Sequence, residues 1–586
     1  MRGKSKSQRN QSFLKGALIL TLSVTLVKIM GFLFRIPLAH IIGTVGSGIY
    51  SSAYDIYNPI YALATAGLPI AISRMVSDSI ARKKFRDVRR IHRVSVPIFL
   101  ITGILGFIAM ILGAFIYTEY TKTPEGIYSI FALAPTVLFA CLMSIYRGYY
   151  NGLRNMVPTA ISEIIEAMCR FFVGLGCAYA VVRVCMNEFY SHGTIFGKPY
   201  ATEALAREAV GPYSAAGAIF GVTVGAFAGF LFLMLRHKIK GDSISKKELE
   251  ESPEALDVKS TIKSLISIAI PVGLGAIIMN LGSMVDATLV RRRIIDIMST
   301  TPIRLIDSYN GLIPNEVIQN GTTHTFLYGC FSYSSNLTAL VPAITQVFAI
   351  SALPAVTAAW AKGDKKVIKS SIESILKITT LVTIPAGLGL VALAHPILSM
   401  IFGGPDLQNS VRIAANILSI MGISAIFLST STPICSMLQA IGRVDLPVKL
   451  LVVGITIKVL LNYTLVGIPE INIQGAGVGS LACYAFVTVV ALYFLFKETQ
   501  IRPDLVSIFI KPLLASICCA LSAYFSHKVF SMFVSSKISV LIAILIAVLV
   551  YIFALILFKA ITEDDIKMMP KGEKIIKILA KRKRIG

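Results

Sequence analysis

The amino-acid sequence predicts an all-α polytopic membrane protein of about 14 transmembrane helices, arranged as two parallel-related six-helix halves plus a C-terminal helix pair. Composition is the first observation behind this prediction. Of the 586 residues, 55% are hydrophobic and 15% are charged, whereas soluble proteins carry about 25% charged residues. So little polar surface excludes a soluble enzyme. The net charge of +25 comes from basic residues between apolar stretches, which is typical of cytoplasmic loops, so we expect no nucleic-acid partner.

The second observation is the length of the apolar stretches, because about 20 apolar residues cross a bilayer as a helix. We number the predicted spans 1 to 14 in chain order: 13–35, 48–77, 92–117, 126–150, 159–184, 213–236, 262–290, 324–357, 369–402, 410–440, 447–467, 474–497, 506–530 and 536–560. They predict six regions: a cytoplasmic segment 1–12, a first half 13–236, a cytoplasmic linker 237–261, a second half 262–497, a helix pair 506–560 and a basic cytoplasmic tail 561–586.

Loop charges predict the orientation. The loops after spans 2, 6 and 8 are rich in Lys and Arg, whereas 118–125, 403–409 and 468–473 contain one basic residue, Lys122. The positive-inside rule therefore places both termini in the cytoplasm. Arg291, Arg292 and Arg293 are the exception, because they begin a loop, 291–323, that this topology places outside.

An internal repeat is the third observation. Residues 150–158 resemble 439–447 with an offset of 289, and 67–69 resemble 352–354 with an offset of 285. Both pairs fall at corresponding spans, which predicts two halves of like orientation, common in secondary transporters. A duplicated scaffold without a transport role is the alternative.

Ionisable and polar side chains inside spans are costly and usually face a cavity. Arg35 is a candidate for diphosphate or saccharide contact, the alternative being snorkelling to the interface. Tyr50, Tyr54, Tyr57 and Tyr61 are spaced 4, 3 and 4 residues apart, which predicts one helical face beside Asp55 and Asn58. We interpret them as a sugar-binding stripe rather than an interfacial tyrosine belt.

Two further groups could act in gating or binding. Glu163, Glu166 and Arg170 share one face of span 5, as an internal Glu–Arg lock or as groups that gate or couple transport. Asp286 precedes the arginines at 291–293 by about a turn. If span 7 continues as a tilted helix, Arg291, Arg292 and Arg293 would rim the external mouth of the cavity and could receive the diphosphate or a released head group; the alternative is an exposed loop start.

The sequence predicts no cofactor and no catalytic apparatus. The nine Cys and seven His show no metal-ligand spacing, and there is no phosphate-binding Gly-rich loop. A coupling ion or the membrane potential is left open.

The chain resembles the stage V sporulation protein B and polysaccharide-exporter branch of the multidrug–oligosaccharidyl-lipid–polysaccharide flippase superfamily. The stretches that carry this resemblance are 31–37, 42–50, 66–73, 149–170, 269–271, 285–286, 351–354, 384–389, 438–442 and 474–477.

The resemblance implies a flippase for a lipid-linked saccharide, similar to the MurJ-like lipid II flippases, in a bacterial cytoplasmic or forespore membrane. It implies a polyprenyl-diphosphate-linked saccharide and membrane lipids as partners, with cell-wall synthesis proteins as further candidates. Arg35 matches the basic residue of the first helix in those proteins, and the basic position of their eighth helix falls near Asn336. A drug or metabolite cation antiporter of the same superfamily is the alternative, and a membrane glycosyltransferase a more distant one.

Overall fold

The computed structural model describes residues 13–65, 67–242, 244–346, 356–357, 360, 363 and 365–560. The predicted segments 1–12 and 561–586 lie outside the described residues, as do 352–354 of the second repeat pair. The described chain forms two compact units, Met1–Ile295 with Pro314–Gly329, and Asp296–Ile313 with Cys330–Gly586.

The fold is helical, as predicted, apart from a two-residue antiparallel ladder. The α-helices of the first part of the chain are α1 Phe13–Thr65, α2 Leu68–Ala81, α3 Phe85–Tyr120, α4 Gly126–Gly152, α5 Val157–His192, α6 Glu203–Lys240, α7 Lys246–Glu250 and α8 Val258–Thr300. The ladder, β1 Thr194–Ile195 with β2 Lys198–Pro199, joins α5 to α6. The remaining helices are α9 Pro302–Ser308, α10 Asn315–Gln319, α11 Thr323–Thr338, α12 Lys365–Ala392, α13 Ala394–Phe402, α14 Gln408–Ala440, α15 Asp445–Leu465, α16 Gln474–Thr499, α17 Lys511–Phe530 and α18 Ser536–Leu557.

Within the described residues, eleven helices are long and apolar enough to cross a membrane. The first candidate, Leu22–Ala81, covers spans 1 and 2 together. Span 7 lies within α8, and span 8 begins as α11 and runs into residues outside the described part. The polytopic helical class is therefore confirmed, and the count of about 14 spans stays a prediction.

The predicted break between spans 1 and 2, residues 36–47, contains the interruption that the structure shows. Helix α1 consists of two helical segments that meet at Gly43, whose φ of 68° and ψ of −174° are open only to glycine. Span 2 ends earlier than predicted, because Gly67 adopts a left-handed φ of 71° and starts α2. A Cβ at Gly67 would lie 2.0 Å from the carbonyl oxygen of Ala269, so glycine permits close packing of α8 there.

The two compact units divide near Ile295, within α8, and the predicted division of the chain at the linker 237–261 stays a prediction. Three hydrogen bonds attach this linker to α3: Arg86 N to Ser252 Oγ (3.1 Å), Arg86 Nε to Leu249 O (3.0 Å) and Leu256 N to Asp87 Oδ1 (2.6 Å).

The two segments of the predicted repeat 150–158 and 439–447 contain helix ends of the same backbone conformation, which also occurs at other helix ends of the chain, for example at Lys83 and Lys122. Both α4 and α14 end in the same turn, in which the first residue beyond the C-cap has a positive φ, 58° at Arg154 and 92° at Gly442. The closing hydrogen bonds are equivalent: Arg154 N to Asn151 O and Asn155 N to Tyr150 O, against Gly442 N to Gln439 O and Arg443 N to Leu438 O. Within this turn, Arg154 takes the place that Gly442 takes in α14, and the repeat itself stays a prediction.

The second unit contains its own core and the C-terminal helix pair. Buried side chains of α12, α14 and α16 pack together, among them Leu376, Met437 and Leu495. Helices α17 and α18 pack on each other, and α17 packs on α12. The Tyr551 hydroxyl of α18 donates to the Leu381 carbonyl of α12 at 2.7 Å. The predicted helix pair is thus present and attached to its unit.

Candidate functional site

The second segment of α1 carries a continuous row of tyrosine rings. Centroids lie 5.2 Å apart between Tyr50 and Tyr54, 5.8 Å between Tyr54 and Tyr57, and 5.4 Å between Tyr57 and Tyr61. The predicted helical face is therefore confirmed. Tyr50 and Tyr57 are buried, whereas Tyr54 and Tyr61 keep exposed edges. We call these four residues the tyrosine row.

Two predicted arginines meet the tyrosine row at the end nearer Gly43. The Arg35 guanidinium carbon lies 4.6 Å from the centroid of the Tyr50 ring, in a cation–π contact. Arg170 of α5 lies close enough to Tyr54 and Tyr50 to interact electrostatically with both side chains. Arg35, Tyr54 and Arg170, predicted separately from three spans, thus form one cationic and aromatic surface.

Asp55 faces a different neighbour, because residue 55 lies about a third of a turn from the tyrosine row on an α-helix. Its Oδ2 accepts hydrogen bonds from Arg291 Nη2 at 3.0 Å and from the Tyr328 hydroxyl at 2.8 Å. Arg291 Nη1 donates to the Tyr117 hydroxyl at 2.5 Å. The Arg291 guanidinium carbon also lies 3.7 Å from the centroid of the Tyr328 ring. We call Asp55, Tyr117, Arg291 and Tyr328 the arginine cage.

The structure corrects the alternative in which Arg291 begins an exposed loop. Helix α8 runs on to Thr300, so the residue stays on a helix and its side chain is 1% exposed. Arg292, the next residue, points its guanidinium carbon to within 5.4 Å of the Tyr120 ring centroid. Asp286 is buried and lies close enough to Asp55 to interact with it electrostatically. The predicted candidates Asp55, Asp286 and Arg291 therefore lie together.

The predicted Glu–Arg lock within span 5 has a different partner. Glu166 Oε2 accepts from Arg147 Nη2 of α4 at 3.0 Å, and Arg147 Nε donates to Ser162 at 3.0 Å. Glu163 accepts from Ser23 of α1 at 2.9 Å. Arg170 interacts electrostatically with Tyr54 and Tyr50 of the tyrosine row and with Glu166 on its own helix.

Arg147, Tyr117 and Tyr328 are the residues that sequence reasoning missed. Arg147 lies within span 4, so the rule that marks an intramembrane charge as a candidate would have found it. The two tyrosines carry no such signal, because a tyrosine near a helix end is ordinary in a membrane protein.

Two other predicted residues have weaker placements. Asn58 is exposed on α1, one turn beyond Tyr54. Asn336 is half-buried on α11 in the second unit. Their roles stay predictions.

Comparison with known proteins gives two family matches. Residues 13–186 match the family "Polysaccharide biosynthesis protein", and residues 329–464 match the MatE family. The chain is 23% identical over 494 residues to the lipid II flippase MurJ of Bacillus subtilis (strain 168), covering 82% of this chain and 83% of that protein. It is 24% identical over 571 residues to stage V sporulation protein B of the same organism, covering 96% and 98%.

Solved structures share the fold. A structure of lipid II flippase MurJ in an inward closed conformation has a TM-score of 0.60 at 15% identity and covers 92% of this chain and 98% of its own. An inward-facing multidrug resistance MATE transporter has a TM-score of 0.56 at 12% identity, covering 81% and 98%. Among these relatives, MurJ is named as a flippase and the MATE protein as a transporter. The chain therefore belongs to the multidrug–oligosaccharidyl-lipid–polysaccharide flippase superfamily, in its branch of stage V sporulation protein B and MurJ-like proteins.

Proposed function

We propose that this protein moves a lipid-linked saccharide, either the peptidoglycan precursor lipid II or a related polysaccharide unit, across the bacterial cytoplasmic membrane by alternating access. The process served would be cell-wall or spore-cortex synthesis. The observation that carries the proposal is the surface formed by Arg35, Arg170 and the tyrosine row. The relatives named as a lipid II flippase and a sporulation protein support it.

The chemistry of this surface suits a sugar joined to a diphosphate. A guanidinium group matches the geometry of phosphate oxygens and stays charged in a weakly hydrated site. Tyrosine rings offer flat apolar faces with a hydroxyl at the edge, which suits stacking on sugar rings. We assign Arg35 and Arg170 to the diphosphate, and Tyr54, Asn58 and Tyr61 to the saccharide.

The arginine cage has a different proposed role, because Asp55 and Arg291 satisfy each other. Two charges that pair when buried leave neither free for a substrate. We propose that the cage is a lock near the predicted external end of α8, which opens in the outward-facing state and exposes Arg291 to the departing diphosphate. Asp286 would then lie at the edge of the released site, and Asn336 would contact the substrate from the second half.

The Glu163, Glu166 and Arg147 group is the proposed coupling site. Its carboxylates are partly buried and adjoin the tyrosine row, since Glu166 interacts electrostatically with Tyr57 and Tyr61. A proton or cation exchanged there would alter the charge beside the saccharide surface.

Complementation tests the proposal. The gene would be expressed in a bacterium depleted of its own lipid II flippase, as wild type, as Arg35→Ala and as Arg304→Ala. Arg304 is a matched control, because it is 67% exposed and pairs with the exposed Glu470. We expect growth with wild type and Arg304→Ala and none with Arg35→Ala, at equal amounts of protein in the membrane.

Growth with Arg35→Ala would contradict the assigned site. No growth with any variant, with the protein present, would exclude lipid II as a substrate in that host. A different lipid-linked polysaccharide would then be tested by the same design.

A cation antiporter is the second candidate, and the MatE match over residues 329–464 favours it. Two positively charged side chains, Arg35 and Arg170, adjoin the tyrosine row. Their charges would repel a cationic drug, which argues against a cation antiporter. The measurement is the susceptibility of a drug-sensitive host to cationic dyes. Increased resistance that survives Arg35→Ala would support the antiporter.

A further inference from the structure

The first unit contains a polar cavity that the proposed transport cycle does not use. It lies between α3, α4 and α6, at their predicted cytoplasmic ends, and has a volume of about 460 Å³. Its lining residues are Arg89, His92, Arg93, Val96, Pro97, Tyr149, His237, Gly241 and Asp242.

Asp242 fixes one wall of this cavity. Its carboxylate accepts from Arg89 Nε at 2.9 Å, from Arg89 Nη2 at 3.3 Å, from the Tyr149 hydroxyl at 3.2 Å and from the Ile244 N–H at 3.1 Å. Burial alone would raise the pKa of Asp242, but these hydrogen bonds outweigh it and lower the pKa below the ordinary carboxyl value. Four donors of the protein therefore occupy the two oxygens of the Asp242 carboxylate. Arg89 uses Nε and Nη2 for this ion pair, and its Nη1 does not take part in it.

A pair of stacked histidines forms another wall. The His92 and His237 rings lie 4.7 Å apart at an interplanar angle of 21°, and Tyr149 packs edge-on against His92 at 4.9 Å. The Tyr150 hydroxyl is hydrogen-bonded to His237 Nδ1 at 3.2 Å. In the described part of the chain, His92 Nε2 is buried and has no hydrogen-bond partner. An unpartnered buried nitrogen needs a partner from elsewhere.

The α3 face that borders the cavity changes from basic to apolar along its length. Arg89, His92, Arg93, Val96 and Pro97 follow the spacing i, i+3, i+4, i+7 and i+8, so they share one face. Pro97 lies about 12 Å further along the helix axis than Arg89. The same face continues with three exposed apolar side chains, Leu100, Ile101 and Ile104.

We infer that this cavity binds the phosphate headgroup of an anionic phospholipid, whose acyl chain lies along the exposed apolar face of α3. Arg93, which makes no hydrogen bond or ion pair in the described residues, and His92 Nε2 are the principal donors, with Arg89 beside them. Basic pockets at the cytoplasmic side of membrane helices are suited to such headgroups. The apolar side chains that continue this face favour a lipid over a free phosphate ion, because a phosphate ion would contact only the basic residues.

Native mass spectrometry of the full-length protein in detergent tests this inference. Phosphatidylglycerol, phosphatidylcholine and inorganic phosphate would each be titrated into wild type, the double variant His92→Gln/Arg93→Gln, the single variant Arg93→Gln and the control Arg90→Gln. Arg90 lies on α3 and carries the same charge but does not line the cavity.

We expect wild type to bind phosphatidylglycerol at least tenfold more tightly than phosphatidylcholine. The double variant should lose about tenfold in affinity, Arg93→Gln an intermediate amount, and Arg90→Gln less than twofold. Equal loss in Arg90→Gln and Arg93→Gln would overturn the site in favour of general surface charge. Equal binding of the two lipids would overturn the headgroup assignment, and binding of inorganic phosphate as tight as that of the lipid would overturn the lipid source.

Discussion

Two arginine–carboxylate pairs in the first unit have the same length and different surroundings. Arg291 and Asp55 lie 3.0 Å apart with side chains 1% and 20% exposed, whereas Arg147 and Glu166 lie 3.0 Å apart with side chains 19% and 28% exposed. The distance between nitrogen and oxygen alone therefore does not show which ion pair contributes more to stability. The comparison shows that desolvation and neighbouring groups decide what each pair can do.

The neighbours differ as strongly as the burial does. Arg291 is also hydrogen-bonded to Tyr117 and lies against the ring of Tyr328, so its remaining donors and faces are covered by aromatic groups. Arg147 has the small hydroxyl of Ser162 as its other partner. A covered pair is costly to open, which suits a lock, whereas a partly hydrated pair can exchange a proton or an ion with little rearrangement.

Removal of Arg291 is the strongest test of this comparison. Arg291→Ala leaves the Asp55 carboxylate without its charge partner, so we expect a destabilisation of about 3–5 kcal/mol, as for other broken buried pairs. Thermal unfolding of the purified protein in detergent would measure it. Arg304→Ala, on an exposed pair, should leave the unfolding temperature unchanged. A loss as small as that of the control would contradict the burial argument.

Removal of the carboxylate from the second pair should have a smaller effect. Glu166→Gln keeps the shape of the side chain, and Arg147 retains Ser162, the nearby Glu163 and water as partners. We expect a destabilisation of about 1.5–3 kcal/mol, the range for a hydrogen bond to a charged group. Unfolding temperatures of Glu166→Gln and Arg291→Ala, measured together, give the ranking. The comparison fails if Glu166→Gln destabilises the protein more.

Tyr328→Phe separates the two contributions of one side chain to the arginine cage. The ring under Arg291 remains, and only the hydroxyl donated to Asp55 at 2.8 Å is lost. We expect a destabilisation of about 1 kcal/mol, because Asp55 keeps the Arg291 hydrogen bond. Tyr328→Leu, which also removes the aromatic face, should cost more in the same unfolding assay; equal losses would mean that the ring contributes nothing.

A third pair, Arg89 with Asp242, extends the comparison to the predicted cytoplasmic edge, where the Arg89 side chain is 47% exposed and acid can reach the pair. The pKa of Asp242 is lowered in the folded protein by its hydrogen-bond donors. Its contribution to stability is therefore complete above the unfolded carboxyl pKa of about 3.9 and is lost as the pH falls through the lower folded value. We expect the unfolding temperature of wild type to fall below about pH 4 more steeply than that of Asp242→Asn. Parallel curves would contradict this assignment.

The fold class could be predicted from the sequence, because a membrane helix is identified by a continuous apolar stretch of about 20 residues. The tyrosine row was also predictable, since its spacing of 4, 3 and 4 residues depends only on the helical period. The predicted repeat stays a prediction, because the turn at Arg154 and Gly442 also ends other helices of the chain.

The pairing of charges was not predictable. Asp55 and Arg291 are 236 residues apart, and nothing local to either position identifies the other as its partner. Arg170 illustrates the same limit, because its i, i+4 neighbour Glu166 is the nearest acid in sequence but pairs with another helix. Contacts between distant parts of the chain determine which charges pair. The residues next to each charge in the sequence do not reveal these contacts.

Gly43 has a consequence for the whole membrane topology. A straight helix of 53 residues, the length of α1, would extend about 80 Å, more than twice the roughly 30 Å of a hydrocarbon core. The break at Gly43 divides it into two segments that can each cross the bilayer once. A residue with a Cβ is strained at this φ even though no other atom lies within 4 Å of where the Cβ would be. If the turn failed, the number of crossings before the first cytoplasmic loop would change from even to odd, and each later loop would face the opposite compartment.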